Sequence, residues 1–599
     1  MKDQESDENS KKSEKSEDMY SYRSGNNSQI NNNNFRQSDA IRRSIGENNN
    51  INVNIHQNPT QNINPNFNNK FSHKLSNKYY SGNLDTNYYN SGQIPNRVSQ
   101  TILNIQPDTF CYNWSTVLIY IILELILIIL IATLFQWDIR NDPKNCCIYN
   151  YPIINMTEFV NHSKNISEMN LSEIIYKETM DEINTYYGLF RDINIMTFVG
   201  FGMVHTLIKL NSKTSIAFNT LSIAISFQIG IIFNLLWENF MKESWQKGVL
   251  NFPNFIESLM NSCTTLISLG SVLGKISHTQ YLILFIFEPI LSSLNYKICE
   301  TKLKIVDTGG ALYVHTFGAI FGLAIYWVLF SSDKYKNRLR RYDINPLSDY
   351  VSKITCFIGV LFLINYFPSF NAALAFSDSA KYRAIINTYF SICGSIIGSF
   401  IISGAFHKGK FVYNQILFSS FSGGVIISGC CTVCLDHWAA FLIGLLCGFI
   451  CIICYEIILP KIPEIFFYEI YNIFIIHGIP GFLGAFLTPM FIGDLKRRFK
   501  DNLDYHFIIL NDMTRENDKQ AGIQVGAIFL TILIAAVGGI AIGFLMRISH
   551  CGKIENYFDD REYFGNEGIV RNVNTFDDNI TNVDDNRPSY NDESNNEKK

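Results

Sequence analysis

The hydrophobic pattern divides the chain in two. No apolar run persists through the first hundred residues, whereas from about 115 to 547 apolar stretches of 18 or more follow one another with short polar breaks. A helix needs about 20 apolar residues to cross a bilayer. Twelve such stretches are predicted, at roughly 115–136, 191–209, 215–236, 255–274, 279–298, 307–330, 351–374, 383–406, 414–435, 437–460, 470–493 and 521–547. Gly, Ser and Asn interrupt several of them, as expected for helices packed closely on each other. The pattern predicts an all-α polytopic membrane protein with twelve transmembrane helices, and an even count puts both termini on one side.

Loop charges orient the spans. The loop 331–350 carries Lys334, Lys336, Arg338, Arg340 and Arg341 and is expected to be cytoplasmic. Counting from it puts both tails in the cytoplasm and the loop 137–190 outside. That loop holds sequons at Asn155, Asn161, Asn165 and Asn170, which are glycosylation candidates. The loop 494–520, with Lys496, Arg497, Arg498 and Lys500, falls outside against the rule, which long loops obey less strictly.

Composition refines the ends. The mean hydropathy of +0.06 averages two unlike populations. About 23 Asn occupy the first hundred positions, and beyond residue 549 there are 12 Asp/Glu against 6 Lys/Arg, a net −6. Such segments bury too little apolar surface to offset their ordering entropy. The expected organisation is therefore a disordered Asn-rich cytoplasmic tail over 1–110, a transmembrane domain over 111–548 and a disordered acidic cytoplasmic tail over 549–599. No apolar stretch follows the charged amino terminus, so no cleavable signal peptide is expected. A net charge of −4 without a large basic block excludes a conventional nucleic-acid binder. The 14 Cys fall mostly in apolar runs, as at Cys430, Cys431 and Cys434, where Cys is expected as a small packing residue rather than a metal ligand. No nucleophile triad, phosphate loop or metal cluster is apparent, so neither an enzyme nor a cofactor is expected.

Ionisable groups at membrane depth are costly and mark functional candidates. They are Glu124, His205, Glu288, His315, Glu456 and His477. Glu124 and Glu288 read as proton-relay carboxylates or as groups hydrogen-bonded between helices. His205, beside Lys209, and Glu456 lie near span ends and are expected at the interface. His315 and His477 differ, because each stands within its span and is followed by small residues, in HTFGA and HGIPG. They lie five predicted spans apart, which fits two five-span halves of opposite orientation, spans 2–6 and 7–11, with a site at the midplane between them.

The segments FVGFG (198–202), SVLGKIS (271–277), VDTGGALYVHTFGAIFGL (306–323), FPSFNAAL (367–374), AIINTYFS (384–391) and HGIPGFLGA (477–485) resemble the Rh glycoproteins, the Rh branch of the ammonium transporter superfamily. The resemblance runs in order across all twelve spans. The Asn-rich amino terminus resembles proteins of malaria parasites in composition. The family implies a 5+5 inverted repeat with extra spans and a homotrimer, and the plasma membrane is the expected location. Each subunit's pore would conduct ammonia, with methylammonia or carbon dioxide as further candidates. His315 and His477 match the family's twin pore histidines. Phe370 matches its outer gate aromatic, followed by Asn371 at the vestibule, and the partner gate position falls on Met260. Asp307 matches the Asp of the DxGG segment, read either as a cation attractor or as a helix cap. Asp349 matches an acidic position at the inner vestibule. Leu374 stands where the bacterial and plant branch carries Ser, which implies a weaker recruitment site and near-electroneutral conduction. Two other readings stay open: a proton-coupled transporter of another solute working through Glu124 and Glu288, and a non-conducting Rh homologue.

Overall fold

The computed structural model describes residues 108–137, 171–331, 349–434, 436–461, 472–498, 517–548, 554 and 557–564. The amino-terminal tail and the four sequon asparagines lie outside the described residues. Each predicted apolar stretch falls on a helix. These are α1 Asp108–Leu134, α2 Leu171–Ile195, α3 Ser212–Lys242, α4 Phe252–Val272, α5 His278–Lys297, α6 Phe317–Phe330, α7 Tyr350–Ala372, α8 Asp378–Phe406, α9 Tyr413–Ile427, α10 His437–Ile453, α11 Ile479–Arg498 and α12 Asn517–Ile548. Among the described residues, nine helical segments are long and apolar enough to cross a membrane.

The other three fall short for physical reasons. Helix α9 has only 15 residues. Helix α2 begins at Leu171, twenty residues before the predicted span, and then breaks into short π-helical and 3-10 turns between Met196 and Leu207. Helix α4 is too polar, yet every residue from Ser258 to Val272 is buried. A helix at the centre of a bundle meets no lipid, and its hydroxyls can turn back on its own backbone, as Ser262 and Thr264 do on Ser258 and Met260. Helix α1 is the opposite case, with Leu118, Ile122, Leu125 and Ile129 all exposed on the periphery.

Packing repeats between the halves. Helix α3 lies against α4 and α5, and α8 against α9 and α10; α4 meets α6 as α9 meets α11. The crossing of α8 and α10 is the closest kind. A Cβ added at Gly444 or Gly448 would overlap the Ser391 or Ser395 carbonyl oxygen, so only glycine lets these backbones meet.

The acidic tail departs from expectation. Residues 557–564 fold against the bundle, with Tyr557 and Phe558 buried. The Phe558 N–H donates to the Gly274 carbonyl at 2.8 Å, and the Tyr563 hydroxyl donates to that of Ile276 at 2.5 Å. Aromatic residues spaced among the carboxylates supply the apolar surface that net charge alone obscures.

Candidate functional site: a paired-histidine path

Both central histidines occupy π-helical turns that open their helices, Ala311–Thr316 ahead of α6 and Phe474–Gly478 ahead of α11. A left-handed residue stands five positions before each, Gly310 at φ +75° and Asn472 at φ +51°. Such wide turns are uncommon and cluster at functional sites. Here they turn two side chains toward each other. The His315 and His477 rings lie 5.1 Å apart at 16°, with their Nδ1 atoms at 3.1 Å. Small residues permit the approach, since a Cβ at Gly481 would come within 2.8 Å of the Ala311 oxygen.

Aromatic rings wall this pair. Phe367 and Phe370 lie 5.8 and 6.1 Å from His315, while Phe421 and Phe201 lie 5.7 and 6.4 Å from His477. Both imidazoles are buried, and His315 Nε2 has no protein partner. Phe370 was singled out from its motif. Phe201 and Phe367 belong to FVGFG and FPSFN, whose spacing gave no reason to choose those rings, and Phe421 carried no signal.

A cavity of about 190 Å³ is lined by Glu257, Tyr296, Glu300, Asp307, Thr308, Tyr313 and Leu374 among others. Asp307 stands in the capping position. Its Oδ2 accepts the Leu312 and Tyr313 N–H groups at 2.9 and 3.1 Å, which caps the turn carrying His315, and its buried Oδ1 is unpartnered. Met260 is buried beside a smaller cavity that shares Tyr296, Tyr313 and Leu374 with the first. Asn371 is fully buried. It ties α7 to its neighbours through Thr388 at 2.9 Å and the Gly424 carbonyl at 3.1 Å.

At the other end Asp349 caps α7, accepting the Ser352 N–H at 2.8 Å and pairing with Lys209 at 3.2 Å. The Ser352 backbone bond, followed by the Lys209 ammonium and the Ser352 hydroxyl, holds its carboxyl below the usual carboxylate range. His205 is a correction. It is buried, not interfacial, and hydrogen-bonds Asn219 at 2.9 Å.

The remaining carboxylates stand apart. Glu124, exposed on α1, accepts from Gln228 at 3.3 Å. Glu288 is buried between helices and accepts from the Ser268 hydroxyl. Glu456 is half-buried and bonded to His407 and Gln415. Cys431 donates to the Ser428 carbonyl, as a packed thiol does. Among the described residues no three His, Cys, Asp or Glu side chains converge as a metal site would require.

These features define a class, a multi-pass helical membrane protein with a polar ring pair inside an aromatic wall. The chain belongs to the Ammonium Transporter Family, which matches residues 168–557. Ammonium transporter Rh type C from Homo sapiens is 29% identical over 461 residues, covering 76% of this chain and 90% of that protein. The Sus scrofa Rh type C protein is 30% identical over 405 residues, covering 66% and 85%. Among solved structures, Rh50 of Nitrosomonas europaea shares the fold at a TM-score of 0.53 and 23% identity, covering 64% of this chain and 93% of that one. The chain is thus a member of the Rh branch, a transporter of ammonium rather than an enzyme.

Proposed function

We propose that the chain conducts neutral ammonia along the line from Phe370 past His315 and His477, with little net charge movement. The observation that carries this reading is the buried, hydrogen-bonded imidazole pair inside a ring of phenylalanines. An ion entering a dry passage loses solvation worth several kcal/mol or more, whereas neutral ammonia loses only hydrogen bonds. In a neutral pair joined through Nδ1, one ring donates and the other accepts. One Nε2 is then left as a donor and the other as an acceptor, a complementary set for NH3.

In this reading Phe370 gates the outer mouth with Met260 as its flexible partner. Asp307 attracts the cation that sheds its proton there. In the same reading the chain assembles as a homotrimer with one pore per subunit in the plasma membrane, both termini cytoplasmic. The test is an ammonium gradient imposed on proteoliposomes with a trapped pH dye while current is recorded. Fast alkalinisation without current is expected, greatly slowed by His315→Ala or His477→Ala. Unaltered flux in both variants would end this reading.

A further inference from the structure

Glu288 interrupts an apolar run on α5, ILFIFEPIL, and has no exposed surface. Its two oxygens are not equivalent. Oε1 meets the Ser268 hydroxyl of α4, while Oε2 is buried without a hydrogen-bond partner. The lysines before and after it along the chain are engaged elsewhere: Lys275 donates to the Ser271 carbonyl at 2.6 Å, and Lys297 pairs with Glu257 and Glu300 at 3.0 and 2.9 Å. Among the described residues no ion pair involves Glu288. An ionised carboxylate here would exchange its full hydration for a single hydroxyl, a loss that one hydrogen bond does not offset.

The hydrogens available at Ser268 require the same state. Ser268 Oγ contacts Glu288 Oε1 and also the Gly318 carbonyl of α6, the latter at 2.7 Å. A hydroxyl has one hydrogen to donate and two lone pairs. Beside an ionised carboxyl, both contacts are acceptors competing for that hydrogen. With the carboxyl protonated, its O–H donates to Ser268 Oγ, Ser268 donates to the Gly318 carbonyl, and both contacts are complete. The unpartnered Oε2 is then the carbonyl oxygen of a neutral acid, far less costly to bury than an ionised one.

Two glycines make this chain of bonds possible. A Cβ at Gly318 would come within 2.7 Å of the Thr264 oxygen, and one at Gly322 within 2.7 Å of Ser268 Cα, so α6 approaches α4 closely only without side chains there. Helix α6 continues directly from the π-helical turn that carries His315, and Gly318 stands in its first turn.

We infer that Glu288 keeps its proton and serves as a neutral donor, a positioning residue whose link through Ser268 to the Gly318 carbonyl fixes α4, α5 and α6 where the His315 turn enters α6. It is then not the proton-relay carboxylate that its depth in the membrane first suggests. The consequence for flux rests on the ammonia-channel reading above: a looser His315 turn loosens the hydrogen bond shared with His477.

The experiment compares the full-length wild type with Glu288→Gln and Ser268→Ala. Infrared absorption at neutral pH reads the proton directly. A carbonyl stretch of a protonated carboxylic acid is expected in the wild type, absent from Glu288→Gln and shifted in Ser268→Ala, where the acid has lost its partner. Identical acid bands in the wild type and Glu288→Gln overturn the inference. In proteoliposomes Glu288→Gln, which keeps a neutral donor, is expected to retain ammonia flux within about twofold of wild type, whereas Ser268→Ala slows it about fivefold, as loss of one buried hydrogen bond does. Loss of flux in stably folded Glu288→Gln would mean that the proton has to leave, and wild-type flux in Ser268→Ala would mean that the link positions nothing; either result overturns the inference. Should Ser268→Ala lower the melting temperature, magnetic resonance of nitrogen-labelled histidine decides. A shift of the shared Nδ1–H signal in the folded variant supports positioning, and an unmoved signal overturns it. If His315→Ala and His477→Ala are themselves silent, the channel reading fails, and the infrared comparison still decides the state of Glu288.

Discussion

His315 and His477 share one Nδ1–H between them across 3.1 Å, from turns 162 residues apart in the chain. A shared hydrogen bond makes each ring's orientation and tautomer depend on the other. Their contributions to flux are therefore expected to be strongly non-additive. The double His315→Ala/His477→Ala variant is predicted to conduct no more slowly than the worse single variant. A double-variant cycle of initial alkalinisation rates checks this, and independent, multiplying losses would contradict it.

Phe370 packs on His315 with no exposed surface. Phe370→Ala deletes a buried ring, a change that costs about 3–5 kcal/mol. On the proposed reading it also opens the passage to water. Two results are expected together: a lower melting temperature in detergent, and a faster shrinkage of proteoliposomes under osmotic shock. Unchanged water permeability would show that Phe370 closes nothing.

The legible part of the molecule was what a bilayer imposes. Twelve apolar stretches fall on twelve helices because desolvation of backbone groups leaves a spanning chain little else to form. The histidine pair was legible too, since two ionisable residues at matching places in two halves are rare at such depth. What stayed hidden depends on three-dimensional neighbours. Ring contacts of Phe421 leave no mark on spacing, and His205 looked interfacial because it lies near the end of its predicted span, beside Lys209. The break of α2 into irregular turns before Ile208 draws His205 inward while Lys209 reaches Asp349. The packed segment 557–564 was obscured by its charge.

The α8–α10 crossing predicts a steep penalty for any side chain at Gly444. An added methyl meets the backbone of Ser391, which has no flexible end to give way. Gly444→Ala is expected to destabilise by about 1–3 kcal/mol or more through overpacking. Gly409, with nothing within 4 Å of an added Cβ, is a surface control for space, although its φ of +82° gives Ala a separate backbone strain. Gly493, open and without positive φ, is the cleaner control, and Gly493→Ala is expected to melt as wild type does.

Helix α3 receives its cap from the far end of the chain. Asn211 makes no side-chain cap bond, and Asp560 accepts instead from the Lys213 and Thr214 N–H groups at 3.1 and 2.8 Å and from the Thr214 hydroxyl at 2.7 Å. Asp560→Ala is expected to cost about 0.5–2 kcal/mol, as loss of an N-cap does. Hydrogen exchange should rise both at 557–564 and at the start of α3. A rise confined to the tail would mean that α3 does not depend on this carboxylate.

Lys297 is the sharpest test of electrostatics beside the cavity lined by Glu257, Tyr296 and Glu300. Its ammonium, 3% exposed, lies 2.9 Å from Glu300, 3.0 Å from Glu257 and 3.5 Å from Glu238, and 5.0 Å above the Tyr296 ring. Three carboxylates around one cation are tolerable only while the cation is present. Lys297→Met leaves two half-buried carboxylates and one exposed one mutually repelling, a loss expected to show as a clear drop in melting temperature. Adding Glu257→Gln removes the most buried of the three charges, so the double variant should melt above Lys297→Met alone. The comparison separates charge from packing, because both variants lack the same lysine side chain. Equal melting temperatures would show that Lys297 acts through its apolar stem and not by neutralising the cluster.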